Sequence, residues 1–320
     1  KIHARIVADV EAAPNEERRR FNSALEVGRR ISRLRQERKE VSEELRKRYK
    51  VEAAPILKQV KGYFGGAIRL ATSGGAPLPL EVAEFFDAAG LPILQAYGLT
   101  ENICVAFNRS DNHKFGTVGP PMPGCEVKIA ADGEILVRSE MMFSGYYRAP
   151  EETASMFRDS WLLTGDIGEL DADGFLKITG RKKELIVTST GKKIAPSLIE
   201  NMLKENHLIS QALVYGEGKS YLVALITLNP VEAREYARAH GIAESSSGPG
   251  LAGSNTMREL VQKQIDEVNA RVSTTESIKT FAILDRDFEI EKDEVTPTGK
   301  LKREVVTERY RSLIESLYDG

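Results

Sequence analysis

TGRKKELIVTSTGKKIAP, residues 179–196, decides how this chain is to be divided. Its cationic cluster Arg181-Lys182-Lys183 stands between two different patterns. Upstream, from residue 66, short apolar runs broken by Gly and Pro alternate with helical stretches such as 80–88, an α/β signature. Downstream the spacing predicts a strand at 185–188, a helix at 196–205, strands at 211–215 and 221–228, and a further helix. A Ser/Gly-rich loop at 244–255, a helix at 257–272 and a strand at 280–284 follow, and together these make a small α+β unit. The boundary is therefore expected at the cationic cluster, with domains 1–181 and 182–320. Within the stretch, TSTGKK imitates the end of a Walker loop. The imitation fails because no glycine opens the spacer before Gly191 and because Lys193, not Ser or Thr, follows Lys192.

Bulk properties leave the function class open. A chain of 320 residues with 41% hydrophobic and 29% charged residues is ordinary for a water-soluble globular protein of about two domains. A net charge of −2 exerts no global pull toward nucleic acid, and no nucleic-acid partner is expected. Two cysteines are too few for a disulfide framework, and four scattered histidines offer no zinc spacing. No apolar run is long enough to span a bilayer, and a cytoplasmic protein is expected. The start, KIHARI, has neither an initiator methionine nor the apolar core of a signal peptide, and reads as a cut in a longer protein.

Residues 16–50 place Phe21, Leu25, Gly28, Ile31, Leu34, Val41, Leu45 and Tyr49 near one face at helical spacing, as one long helix or two shorter ones. The polar face is rich in Arg and Lys. It could suit a membrane surface, although a helix packed on its own domain explains the same stripe. CEVKIAADGEILVRS (125–139) and GELDADGFLKITG (168–180) each read as a hairpin turning at Asp-Gly. The second resembles the start of a calcium loop but lacks the closing Glu.

Several glycine-containing stretches can carry chemistry. In TSGGAPL (72–78), Gly74-Gly75 at a strand end lets a flat ligand approach the backbone, or simply makes a tight turn. In QAYGLTE (95–101), Thr100 offers a hydroxyl for a phosphate and Glu101 a carboxylate for Mg²⁺; a helix cap with a first-turn Glu accounts for the same letters. In WLLTGD (161–166), Asp166 ends an apolar strand, where an acid can accept both hydroxyls of a ribose, with Arg181 as a second donor; alone, Asp166 reads equally as a turn aspartate. In TPTGKLKRE (296–304), Pro297-Thr298-Gly299 reads as a tight turn that aims Lys300; alone, it is a surface turn before a helix.

Taken in order, SGGAP (73–77), YGLTE (97–101), TGD (164–166), GRKKELIV (180–187), STGKKIAP (189–196) and PTGKLKR (297–303) resemble the adenylate-forming, AMP-binding superfamily of acyl-CoA synthetases, luciferases and peptide-synthetase adenylation domains. The charged helix before SGGAP, FSGYYRAPEET (143–153) and the STGKKIAP variant are most similar to the long-chain fatty acyl-CoA synthetase branch. The resemblance implies an adenylate-forming α/β (α+β) fold, with a partial large N-terminal domain followed by a small mobile C-terminal lid. The chain would be the C-terminal portion of a larger synthetase, lacking the upstream Ser/Thr/Gly-rich phosphate loop and inactive in adenylation by itself.

By residue, the resemblance implies that Gly74, Gly75, Ala76 and Pro77 line the adenine and acyl side, and that Gln95, Ala96, Tyr97, Gly98 and Leu99 flank adenine and the acyl-phosphate. Thr100 would touch the α-phosphate, Glu101 the Mg²⁺, and Asp166 with Arg181 the ribose. Lys183 matches the hinge, Gly191 the loop bordering the CoA tunnel, and Lys300 the lysine bridging the attacking carboxylate and the α-phosphate. ATP, Mg²⁺, CoA and a long-chain fatty acid are the implied cofactors and partners. A fatty acyl-AMP ligase serving a carrier protein, and a noncatalytic lipid-surface adaptor, are the alternatives.

Overall fold

The apolar stripe of residues 16–50 finds its partners inside the first part of the chain. In the computed structural model, which describes residues 2–240, 249–297 and 299–319, α1 (Ile2–Ala12) and α2 (Asn15–Gln36) are followed by α3 (Glu43–Arg48). A π-helical turn at Tyr49–Ala53 joins α3 to α4 (Ala54–Gly62), so the stretch is broken rather than one long helix. Ser42 caps α3 by accepting the Leu45 N–H at 3.3 Å. Phe21, Leu25 and Ile31 of α2 pack with Leu57 and Val60 of α4 and with Phe85 and Phe86 of α5 (Leu80–Ala88). The face that a surface-bound helix would press into lipid is thus taken up by the protein's own core. Among the described residues no helix is long and apolar enough to cross a membrane.

The chain divides into two units, Lys1–Ile178 and Thr179–Gly320. In the first, β1 (Ala71–Ser73) runs parallel to β2 (Ile93–Leu99), which pairs antiparallel with β3 (Asn102–Phe107). A second sheet has the order β4 (Cys125–Ile129), β5 (Glu134–Ser139), β7 (Trp161–Leu170), β6 (Phe157–Arg158), and β8 (Leu176–Arg181) also pairs with β7. The short α6 (Pro150–Ser155) precedes β6. Both hairpins expected from Asp-Gly turns are present: β4 and β5 meet at Ala130–Gly133, and Asp171 Oδ1 accepts the Asp173 and Phe175 N–H groups, both at 2.9 Å, between β7 and β8. Val105, Ile135, Val137, Leu162 and Leu176 have no exposed surface and form the core of this part. Burying each such side chain contributes about 1.5–3 kcal/mol.

The second unit opens with a hairpin of β9 (Ile186–Val187) and β10 (Lys193–Ile194), then α7 (Pro196–Leu203). Its sheet has the order β11 (Ile209–Tyr215), β12 (Leu222–Leu228), β13 (Ile278–Leu284); β12 is antiparallel to β11 and parallel to β13. Every residue of β12 is buried, as a central strand covered on both faces requires. Helices α8 (Pro230–Ala239), α9 (Pro249–Ala252) and α10 (Asn255–Asn269) connect β12 to β13, and α11 (Arg303–Arg309) and α12 (Arg311–Ser316) end the chain. Of the loop expected at 244–255, residues 244–248 lie outside the described residues, and α9 and the start of α10 occupy much of the rest.

Candidate functional site

The QAYGLTE stretch is the strand β2 and its turn. Leu99 pairs with Asn102, so Thr100 and Glu101 are the two-residue tip of the β2–β3 hairpin and not the start of a helix. The hairpin closes this tightly because Gly98 has no side chain: a Cβ there would lie 1.9 Å from the Ile103 carbonyl oxygen. Thr100 is exposed, and Glu101 is half-buried with its Oε1 accepting the Tyr146 O–H. That hydrogen bond, more than burial, pushes the Tyr146 phenol up to about 12. It also fixes the carboxylate from one side. Asn102, the next residue, is wholly buried and neither amide atom has a hydrogen-bond partner among the described residues.

The TSGGAPL stretch ends beside the same strand. Ser73 is in register with Gln95, and Gly74, Gly75, Ala76 and Pro77 follow as exposed backbone. With its amide turned to satisfy both neighbours, Gln95 accepts the Leu78 N–H at 3.1 Å and donates to the Thr117 carbonyl at 3.3 Å, which ties the loop after β1 to β2. Ala96 and Leu99 are half-buried.

Asp166 of β7 joins this group through Tyr97, whose O–H donates to Asp166 Oδ2 at 2.6 Å. Both are buried, Asp166 at 4% exposure. The Asp166 N–H donates to Thr164 Oγ1 at 3.1 Å. A buried carboxylate that takes a phenol hydrogen bond joins the two sheets of the unit, a role the sequence reading did not assign to it.

The remaining expected residues belong to the second unit. Arg181 ends β8, and Lys183 lies in a 3₁₀ turn at Lys182–Glu184; both are exposed. Gly191 is at the tip of the β9–β10 hairpin, where its N–H donates to the Thr188 carbonyl at 2.8 Å. Lys300 stands on a turn closed by Thr296 N–H to Lys300 O and Gly299 N–H to Thr296 O, both 2.8 Å, with Gly299 at φ +79°. A left-handed backbone there is why glycine precedes the lysine. Its cationic neighbours are engaged: the Lys302 ammonium contacts Asp293, and Arg303 donates to Glu200 Oε1 at 2.6 Å and to the Val214 carbonyl at 2.8 Å. Lys300 is exposed and its ammonium forms no ion pair among the described residues.

The donor set suits Mg²⁺. Glu101 supplies a hard oxygen ligand at an accessible turn, beside a hydroxyl, with one carboxylate oxygen already oriented by Tyr146. Among the described residues no group of three or more His, Cys, Asp or Glu could cage a metal. A single carboxylate acting with substrate phosphates is the usual way Mg²⁺ is held in nucleotide sites. Sequence reasoning misses Tyr146 because its partner is 45 positions away; the aromatic pair in FSGYYRAPEET is the one signal that could have found it.

The family profile described as AMP-binding enzyme matches residues 21–147, and that described as AMP-binding enzyme C-terminal domain matches residues 183–320. The chain is 42% identical over 276 residues to the long-chain-fatty-acid-CoA ligase FadD15 of Mycobacterium bovis, covering 86% of this chain and 46% of that protein. It is 35% identical over 282 residues to long chain acyl-CoA synthetase 1 of Arabidopsis thaliana, covering 82% of this chain and 42% of that protein. Among solved structures, the adenylation domain of a carboxylate reductase from Mycobacterium chelonae aligns at TM-score 0.66 and 25% identity, over 94% of this chain and 46% of that one. O-succinylbenzoate coenzyme A synthetase from Bacillus subtilis, in complex with ATP and magnesium, aligns at TM-score 0.56 and 27% identity, over 74% of this chain and 46% of that one. The chain spans about half the length of the curated relatives it matches.

These matches correct one expectation. The first unit was expected to be a partial large domain, the remnant of a synthetase without its phosphate loop and inactive by itself. The AMP-binding profile instead matches this unit over 21–147, and a solved adenylation domain aligns with 94% of the chain. The unit also buries cores of its own, in which Leu57, Val60, Val105 and Leu162 have no exposed surface. By its two profile matches and by its identity to curated ligases over more than four-fifths of its length, the chain belongs to the AMP-binding, adenylate-forming enzyme family.

Proposed function

We propose that the protein is an ATP-dependent, AMP-forming ligase that activates a long-chain fatty acid and passes the acyl group to CoA. The observation that carries this reading is Lys300. Of the three cations in the 300–303 segment, it alone is exposed on a turn without an ion pair among the described residues, while Lys302 and Arg303 are anchored. The names of the curated relatives, fatty-acid-CoA ligases and acyl-CoA synthetases, support both the acyl class and CoA as acceptor.

In the first half-reaction a carboxylate oxygen of the fatty acid attacks the α-phosphorus of ATP, and the bond to pyrophosphate breaks. Two anions must meet. The Lys300 ammonium offsets both charges, and the Thr100 hydroxyl donates to the α-phosphate. Removing one such stabilising group typically costs about 2.7–4 kcal/mol of barrier. Glu101, held by Tyr146, is the residue that would carry Mg²⁺, which when bound neutralises charge on the phosphates. Exposed backbone at Gly74–Pro77 and the Gln95–Leu99 strand give adenine a flat border, and Asp166 with Arg181 takes the ribose. In the second half-reaction the CoA sulfur attacks the acyl carbon and AMP leaves; Gly191 borders the thiol's path, and Lys183 stands at the hinge position that the family resemblance implies.

Lys300→Ala tests the assignment. Fatty-acid-dependent ATP–pyrophosphate exchange should fall about 10²–10³-fold, while thiolysis of supplied acyl-AMP is retained. Equal loss of both half-reactions would remove Lys300 from this role. Release of acyl-AMP without acyl-CoA, in the presence of CoA, would favour the carrier-protein acceptor instead.

A further inference from the structure

A carboxylate that the proposed reaction does not use lies buried at the base of the Lys300 turn. Glu294 has no exposed side-chain surface, and two guanidinium groups surround it. Arg286 grips it with both Nη atoms, Nη1 to Oε2 at 2.6 Å and Nη2 to Oε1 at 2.7 Å. Arg309 Nη1 reaches Oε1 at 2.7 Å, and the Glu289 N–H donates to Oε2 at 3.1 Å. Burial would raise this carboxyl; the two guanidinium groups outweigh it and hold it at about 2.

The backbone connects this triad to the turn. The Glu294 carbonyl accepts the Lys302 N–H at 2.8 Å, and its neighbour Val295 forms an antiparallel bridge with Leu301. Those contacts close the base of the loop. Across the tip, the Lys300 N–H donates to Thr296 Oγ1 at 3.0 Å. On the far flank Arg303 is tied to Glu200 and to the Val214 carbonyl. The loop that carries Lys300 is therefore clamped on both sides, and the upstream clamp is an ion triad spanning β13's exit, the loop and α11.

Well-packed apolar residues often stabilise a protein as much as a buried ion pair does, so stability alone is a poor reason for three charges here. We infer that Glu294, held by Arg286 and Arg309, is a positioning residue that sets where the Lys300 ammonium stands. This rests on the reading of Lys300 given above. A cation that acts on the transition state must be placed to within a fraction of an ångström, and a displacement of about 1 Å can cost about 10²-fold in rate.

The test uses the whole enzyme with Glu294→Gln, Arg309→Gln and Lys300→Ala side by side, each read in pyrophosphate exchange and in thiolysis of supplied acyl-AMP. Glu294→Gln should lower kcat of exchange by about 10²-fold. Arg309→Gln, which leaves the two Arg286 bonds in place, should lower it about tenfold. In both, KM for ATP and the thiolysis rate should stay within about twofold, the pattern of a lost transition-state interaction. Should Glu294→Gln fail to fold, Arg309→Gln decides, since Arg309 is 39% exposed and its loss leaves Glu294 paired. Folded variants with unchanged exchange, or with both half-reactions reduced alike, would overturn the inference. If Lys300→Ala itself leaves exchange intact, the reading of Lys300 falls; if Lys300→Ala is inactive while the triad variants are not, only the positioning role falls.

Discussion

At the scale of single residues, the glycine of YGLTE shows how a motif and a packing constraint can share a letter. In the sequence, Gly98 belongs to a stretch that the family resemblance places beside adenine. The structure adds a constraint from within the protein, since a methyl group there would stand 1.9 Å from the Ile103 carbonyl oxygen, inside its own hairpin. Gly98→Ala should therefore cost stability by about 1–3 kcal/mol or more, as overpacking does. A urea midpoint lowered at constant slope would register the cost; an unchanged midpoint would mean that the bulge between Tyr97 and Leu99 absorbs the methyl. Thr100 and Glu101 were singled out in the sequence, but their place on a hairpin turn rather than at a helix cap was not legible there. Nor were the tyrosine–carboxylate pairs: Tyr97 with Asp166 and Tyr146 with Glu101 are separated by 69 and 45 positions, and nothing in either local pattern encodes the pairing.

Among elements, period and turn chemistry carried most of the information. Both Asp-Gly hairpins and the alternation of strands and helices after residue 196 were readable, because each is set by neighbours within a few positions. The basic stretch 16–50 was less so, since its periodicity continues across the break at 37–42 and cannot say what the apolar face meets. It meets α5, closely enough that a Cβ on Gly28 would lie 2.1 Å from the Ala88 carbonyl oxygen. There Ser32 donates to the buried Asp87, and His113 stands 3.4 Å from the same carboxylate. Burial would raise the Asp87 carboxyl, but the neighbouring His113 imidazole and the Ser32 hydrogen bond outweigh it and keep it below the usual range. Gly28→Ala should force α2 off α5 and lower the thermal midpoint by about 2–4 °C for each kcal/mol lost, the scaling for a unit of this size. Gly62→Ala, where no described atom lies within 4 Å of the added methyl, serves as the control and should not lower the midpoint.

For the molecule as a whole, the division at Ile178 and Thr179 has a thermodynamic consequence. The two cores of the second unit draw all their buried residues from positions 186–314, on both faces of the β11–β12–β13 sheet. A polypeptide of residues 179–320 should then fold by itself and melt in one cooperative transition. Its acid stability should report Glu294. With a folded value of about 2 against an ordinary 4.5, the unfolded chain takes up the proton first as pH falls. The triad's contribution is thus fully present above pH 4.5 and is lost progressively down to about pH 2. Chemical unfolding of the 179–320 piece at a series of pH values should show stability declining through that window, and Glu294→Gln, which has no proton to take up, should flatten the decline. Equal slopes in the two proteins would mean that the carboxylate titrates alike in folded and unfolded chains, and that Arg286 and Arg309 do not grip it in solution.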